Sequence, residues 1–125
     1  MTDAATTGMF ARAGNATWHV ADPARRDETR DRAAGSCDEI RFRYVAFTTD
    51  ENAEQQPWAA GLPGTLVEAS RLLKPGGTLA IETGKFAFGM GDSAPAIRAV
   101  LERLEFRDIS VTVTDHTSIT AIHGG

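Results

Sequence analysis

The chain has 125 residues, a formal net charge of −4 and a sequence pI of about 5.3. One domain with a modest core is the expectation at this length, and the acidic balance argues against a grip on phosphate backbones, so no nucleic-acid partner is expected. Apolar residues make up 42% and charged residues 24%, ordinary for a globule, and no apolar run approaches the roughly 18 residues of a membrane-crossing helix, so no membrane partner is expected.

Residues 1–7 are small and polar without periodicity and are expected to be loose. They carry neither the positive region nor the apolar stretch of a secretion signal. A single cysteine, Cys37, allows no internal disulfide and no cysteine metal cluster, and a cytoplasmic location follows as the expectation. Gly8-Met9-Phe10-Ala11-Arg12-Ala13-Gly14 reads as one or two helical turns stopped at Gly14. Ala16-Thr17-Trp18-His19-Val20-Ala21 is rich in β-formers and ends at Asp22-Pro23, a turn signal, so it reads as a strand. Charges of both signs interleave over residues 24–34, as on a solvated helix with i,i+4 pairs, and Gly35-Ser36 ends it.

Glu39-Ile40-Arg41-Phe42-Arg43-Tyr44-Val45-Ala46-Phe47-Thr48 alternates and then runs apolar, the pattern of a strand half exposed at its start and covered at its end. No base stands near Cys37 in the sequence, so it reads as a small buried thiol rather than a nucleophile. Residues 49–61 form a polar loop around Pro57-Trp58. Trp58 packs against the next helix or covers a ligand at the strand ends.

Leu62, Leu66, Ala69 and Leu73 recur at i, i+4, i+7 and i+11, one face of a helix. Arg71 and Lys74 sit at its carboxyl end, where cations favour the helix dipole. Pro75 cannot continue a helix, Gly76 and Gly77 supply the positive φ of a tight reversal, and Thr78-Leu79-Ala80-Ile81 follows as a short strand covered on both faces. Glu82-Thr83-Gly84-Lys85-Phe86-Ala87-Phe88-Gly89-Met90-Gly91 is a glycine-rich loop at the carboxyl end of that strand, where open α/β sheets place ligands. Phe86, Phe88 and Met90 read as pocket lining or as a contact with another chain. Asp92 or Ser93 caps a second helix with Pro95 in its first turn and Ile97, Val100, Leu101 and Leu104 on its buried face. Ile109-Ser110-Val111-Thr112-Val113-Thr114 alternates as a half-buried strand, Asp115-His116-Thr117-Ser118 is a turn, and residues 119–123 return as a strand.

The run Arg71-Leu72-Leu73-Lys74-Pro75-Gly76-Gly77-Thr78-Leu79-Ala80-Ile81 resembles the segment leading into the fifth strand of class I S-adenosylmethionine-dependent methyltransferases. Residues 39–48 resemble the family's fourth strand, and the hairpin at the end resembles its last two. Leu104-Glu105-Phe106 stands where the family tends to have a Gly-Phe pair, with Glu105 in place of the glycine. The resemblance spans residues 8–123 and is strongest over 62–122. It implies an α/β fold, Rossmann-like, with a small and mostly parallel sheet, an antiparallel C-terminal hairpin, and the first strand missing or replaced. It also implies S-adenosylmethionine as cofactor, with Asp22 at the place of the acid that binds the ribose hydroxyls. The family's Gly-x-Gly-x-Gly loop is not present. Gly8 and Gly14 are the glycines left where it would lie, and so the candidate cofactor contacts.

Three functions follow as expectations. The first is a minimal methyltransferase acting on a small molecule, which needs proximity more than a catalytic triad. The second is a non-catalytic methyltransferase-like subunit that docks on a protein partner or on itself as a homodimer through an open gap in its sheet. The third is a cofactor-free lyase or cyclase using the same cleft. Glu82 is a candidate general base and His116, beside Asp115, a candidate acid–base. His19, His116 and His123 share no metal-ligand spacing, so no metal site is expected.

Overall fold

The computed structural model describes residues 7–21, 29–45, 47, 62–84 and 94–124. The elements run β1 (Gly8–Ala13), β2 (Ala16–Val20), β3 (Cys37–Arg43), α1 (Gly64–Leu72), β4 (Leu73–Gly84), α2 (Ala94–Arg103), β5 (Phe106–Val113) and β6 (His116–His123). The strands form one sheet in the order β2-β1-β3-β4-β6-β5.

The α/β class and the antiparallel terminal hairpin are as expected, but the sheet is mostly antiparallel rather than mostly parallel. Only β3 and β4 run parallel; β1–β2, β1–β3, β4–β6 and β5–β6 are antiparallel. The cause lies in residues 8–14, which form a strand and not helical turns. Too few residues stand there for a helix to repay its nucleation. Gly14, at φ 63°, and Asn15 make a two-residue turn that folds β1 back on β2. The sheet therefore has no gap next to β3: the place is filled by β1 running the opposite way.

The stretch read as a charged helix is described only from residue 29 onward, where it is a turn. Arg71, at the end of α1, holds this turn. Its guanidinium donates to the Thr29 and Arg32 carbonyls at 3.0 and 2.9 Å and, through Nε and Nη2, to Glu68 at 2.9 and 2.8 Å. Such a planar fork uses its donors in fixed directions, so one side chain ties the turn at residues 29–32 to α1.

The helix-to-strand joint departs from the expectation. Helix α1 stops at Leu72 and β4 already starts at Leu73, so Lys74, Pro75, Gly76 and Gly77 lie within the strand rather than ahead of it. Thr78 and Glu82 are exposed while Leu79 and Ile81 are buried, so the strand is covered on one face and not on both. Leu62, Leu66, Ala69 and Leu73 are buried, and Gly76 takes the positive φ, at 84°. Gly77 has a different reason to be glycine: a Cβ there would lie 2.9 Å from the Lys74 carbonyl oxygen and 3.0 Å from Leu73 Cδ2. The strand register slips between Cys37 and Glu39 to accommodate this bulge. On α2, Ile97, Leu101 and Leu104 are buried and Val100 is half-buried; its expected caps, Asp92 and Ser93, lie outside the described residues. Strand β6 begins at His116 rather than at Ile119, so the hairpin turn is only Thr114-Asp115.

Residues paired across a ladder share a face of the sheet. Met9, Ala11, Val20, Ile40, Phe42, Leu79, Ile81, Ile119 and Ala121 make one face by this register, and all are buried in one core with Leu66, Leu72, Ile97 and Leu101 of the helices. At about 2 kcal/mol for each large apolar side chain removed from water, this face dominates the fold's stabilisation. Cys37 belongs to the same core, and burial pushes its thiol pKa up, away from the reactive thiolate. Among the described residues, no helix is long and apolar enough to cross a membrane.

Candidate binding face

The other face of the sheet is built from the alternate residues. Register places them in rows that cross the strands. The central row is His19, Phe10, Arg41, Ala80, Thr120 and Ser110. On one side of it lies Thr17, Arg12, Glu39, Thr78; on the other, Gly8, Arg43, Glu82, Ser118, Thr112, with His116 one step beyond, opposite Gly84. Most of these residues are exposed, while Phe10, Glu39, Arg43, Ala80 and Ser118 are half-buried and Gly8 is buried. An open groove of about 960 Å³ lies over this face, within the range that takes a small organic ligand.

Phe10 and His19 stack, with ring centroids 4.5 Å apart and planes inclined by 22°. His19 Nε2 lies 2.7 Å from the Thr7 carbonyl oxygen, so it donates there and its ring is fixed. The charges largely pair off. Arg12 is 3.5 Å from both Asp38 and Glu39, and Arg43 Nε is 3.7 Å from Glu82 Oε1. At that distance Nε makes no hydrogen bond, and among the described residues it has no other partner although it is shielded from water. Arg41 makes no ion pair among the described residues.

Asp38 stands next to Glu39, outside the groove's lining, and gathers contacts from three segments. Its carboxylate accepts from Lys74 Nζ and, at 2.6 Å, from the Gly14 N–H. The Lys74 ammonium first, and then the Gly14 N–H, hold its pKa below the usual carboxylate range.

The two catalytic candidates come together on this face. Glu82 pairs with Ser118 and Gly84 with His116, so Glu82 and His116 are diagonal neighbours at the carboxyl ends of β3 and β4. His116 stands at the start of an interior strand, not in a turn at the sheet's edge. The candidate cofactor glycines stand apart from each other. Gly8, at φ 118°, is at the carboxyl edge of the sheet, and a Cβ there would lie 2.3 Å from the Val20 carbonyl oxygen. Gly14 is at the opposite edge, in the hairpin turn on Asp38. Asp22, Trp58, Phe86, Phe88 and Met90 lie outside the described residues. No group of metal-ligating side chains forms among the described residues.

Sequence reasoning missed Phe10, Arg41 and Tyr44. Phe10 was hidden by the helical reading of its segment, whereas Arg41 and Arg43 alternate with the core residues Ile40 and Phe42, a signal that marks an exposed face. Tyr44 ends β3 at φ 53°, 55% exposed, with its N–H on the Glu82 carbonyl at 2.8 Å. A bulky residue held in that backbone region at the carboxyl end of a parallel strand is an unusual placement of the kind found at functional sites.

No protein-family model matches the sequence, and no curated protein matches it. The fold is similar to that of CurJ carbon methyltransferase, with a TM-score of 0.57 at 15% identity, over 83% of this chain and 34% of that one. A weaker likeness, with a TM-score of 0.47 at 14% identity over 74% of this chain and 52% of the other, is to a mutant 16S rRNA (adenine(1408)-N(1))-methyltransferase from Catenulisporales acidiphilia. The chain thus has a methyltransferase-like fold and spans about a third of the CurJ chain's length.

Proposed function

We propose that this chain is a non-catalytic methyltransferase-like subunit that works by binding, with the open sheet face as its working surface. The observation that carries this reading is the direction of β1. Where the resemblance implies a first strand missing or replaced and no glycine loop, β1 fills the place running antiparallel to β3, and its turn at Gly14-Asn15 faces the edge away from the carboxyl ends of β3 and β4.

S-adenosylmethionine does not fit the described residues. The space that a glycine cradle leaves for the cofactor is taken at Gly8 by the chain's own Val20 and Ala21 backbone, and the Gly14 N–H is already donated to Asp38. The test is calorimetric titration with S-adenosylhomocysteine beside the mass of the protein in solution. The expected result is no saturable binding. Micromolar binding that Asp22→Ala abolishes overturns the reading and restores small-molecule methyl transfer.

The meeting of Glu82 and His116 beside Ser118 favours a second reading, a cofactor-free lyase or cyclase. Glu82 and Ser118 line the groove and His116 stands one diagonal step beyond it, an acid and an imidazole of the types such chemistry uses. Loss of turnover in both Glu82→Gln and His116→Asn, with folding intact, is the mark of that alternative.

A further inference from the structure

The central row of the open face has a low point and a surplus charge side by side. Ala80 carries no side chain beyond Cβ, and its neighbour in the row, Arg41, is exposed without an ion pair among the described residues. The other two guanidiniums that line the groove are answered, Arg12 by Asp38 and Glu39 and Arg43 by Glu82. On the far side of Arg41 stands Phe10, already backed on its outer side by His19. Moving across the row, the groove thus offers an aromatic platform, a guanidinium without an ion pair among the described residues, and an open seat with the Thr120 hydroxyl beyond it.

We propose that this groove binds a small ligand made of a flat aromatic or heteroaromatic ring joined to an anionic group. The ring packs against Phe10 and the anion sits over Ala80 under Arg41. Phe10 and Ala80 are two strands apart, about 10 Å, a span that a nucleoside monophosphate covers. Base–aromatic stacking and a charge-assisted contact to a guanidinium are each strong enough to be read in affinity. Glu82 and Glu39, the acids that line the groove, are answered by Arg43 and Arg12, so neither cancels Arg41. The proposal rests on the reading of the open face as a binding surface and names the class of ligand it takes.

The test is titration of the full chain with adenosine monophosphate, adenosine and indoleacetate, followed by calorimetry and by the ring resonances of His19. Saturable binding of the monophosphate, with adenosine about tenfold weaker, is the expected result. Arg41→Ala weakens the monophosphate by about the same factor, and Arg98→Ala, on the exposed side of α2, leaves it unchanged. Phe10→Ala weakens both charged ligands about tenfold or more. Should that variant fail to fold, Arg41→Ala, at an exposed position, decides alone. Arg41-dependent binding of indoleacetate only identifies an aromatic acid as the source. The proposal is overturned when neither charged ligand saturates, when Arg41→Ala has no effect, or when an oligoadenylate binds far more tightly with a steep salt dependence. S-adenosylhomocysteine binding that persists in Arg41→Ala counts against the preceding reading and not against this groove.

Discussion

Glu105 stands at a place where its side chain is a burden. It follows α2 and Leu104, its N–H bonds the Glu102 carbonyl at 3.0 Å, and its own φ is 68°. This is the left-handed stop of a helix, the position that glycine usually takes. An L side chain there costs about 1–2 kcal/mol, and its negative charge faces the negative end of the helix dipole. Glu105→Gly removes both penalties but gives the unfolded chain freedom worth about 0.4–1 kcal/mol. The net expectation is a stabilisation of about 0.5–1 kcal/mol, or about 2–4 °C in melting temperature for a domain of this size. The backbone bond from the Gly124 N–H to the Glu105 carbonyl, 2.7 Å, is untouched by the change. Thermal and urea unfolding of Glu105→Gly beside Glu105→Ala separate the terms, because alanine removes the charge and keeps the Cβ. A glycine variant no more stable than the alanine variant refutes the reasoning about φ.

Gly8→Ala is expected to destabilise the fold by several kcal/mol, because its Cβ collides with backbone rather than with a side chain that can move aside. Urea unfolding checks it, and an alanine variant of wild-type stability disproves the close approach to Val20. Asp38 makes stability depend on pH. Its folded pKa lies below its unfolded value of about 3.8, so its contribution is fully present above that value and is lost as the pH falls through the folded one. Asp38→Asn is therefore expected to flatten the acid limb of a stability-versus-pH curve while leaving the limb above neutrality in place; an unchanged acid limb contradicts the Lys74 and Gly14 contacts.

The half of the chain after residue 62 was readable because its signals are local. Leu66 and Ala69 mark one helix face, Gly76 marks a bend of positive φ, and Ile109 to Val113 alternate with period two. The same pattern starts the fourth strand only at Thr78, whereas Leu73 to Gly77 already belong to it. The first strand was not readable in the same way. Met9 and Ala11 are core residues and Phe10 and Arg12 are not, but alanine at 11 and 13 blurs the alternation and also suits a helix. What decided the matter was pairing: a two-residue turn and the exposed flank of β3, both of which lie outside any short window. Glu82 and His116 show the same limit, since their meeting depends on a register between β4 and β6 that no spacing along the chain encodes. The departure at Glu105, by contrast, was visible in the sequence, and the structure gives it a meaning as backbone strain.

The single parallel pair at the middle of the sheet also shapes how the protein assembles. Strands β1 and β2, and again β5 and β6, are joined by turns of two residues, so each hairpin can close within microseconds of collapse. Strands β3 and β4 meet only after a long crossover through α1, and the entropy of closing that loop must be met before any of its contacts is made. The central joint is then the slow step, and the two hairpins wait as preformed wings on either side of it. Asp38 accepts from the left wing through Gly14 and from the central joint through Lys74. Its carboxylate becomes fully satisfied only when both have docked, which makes it a latch on the last stage of folding.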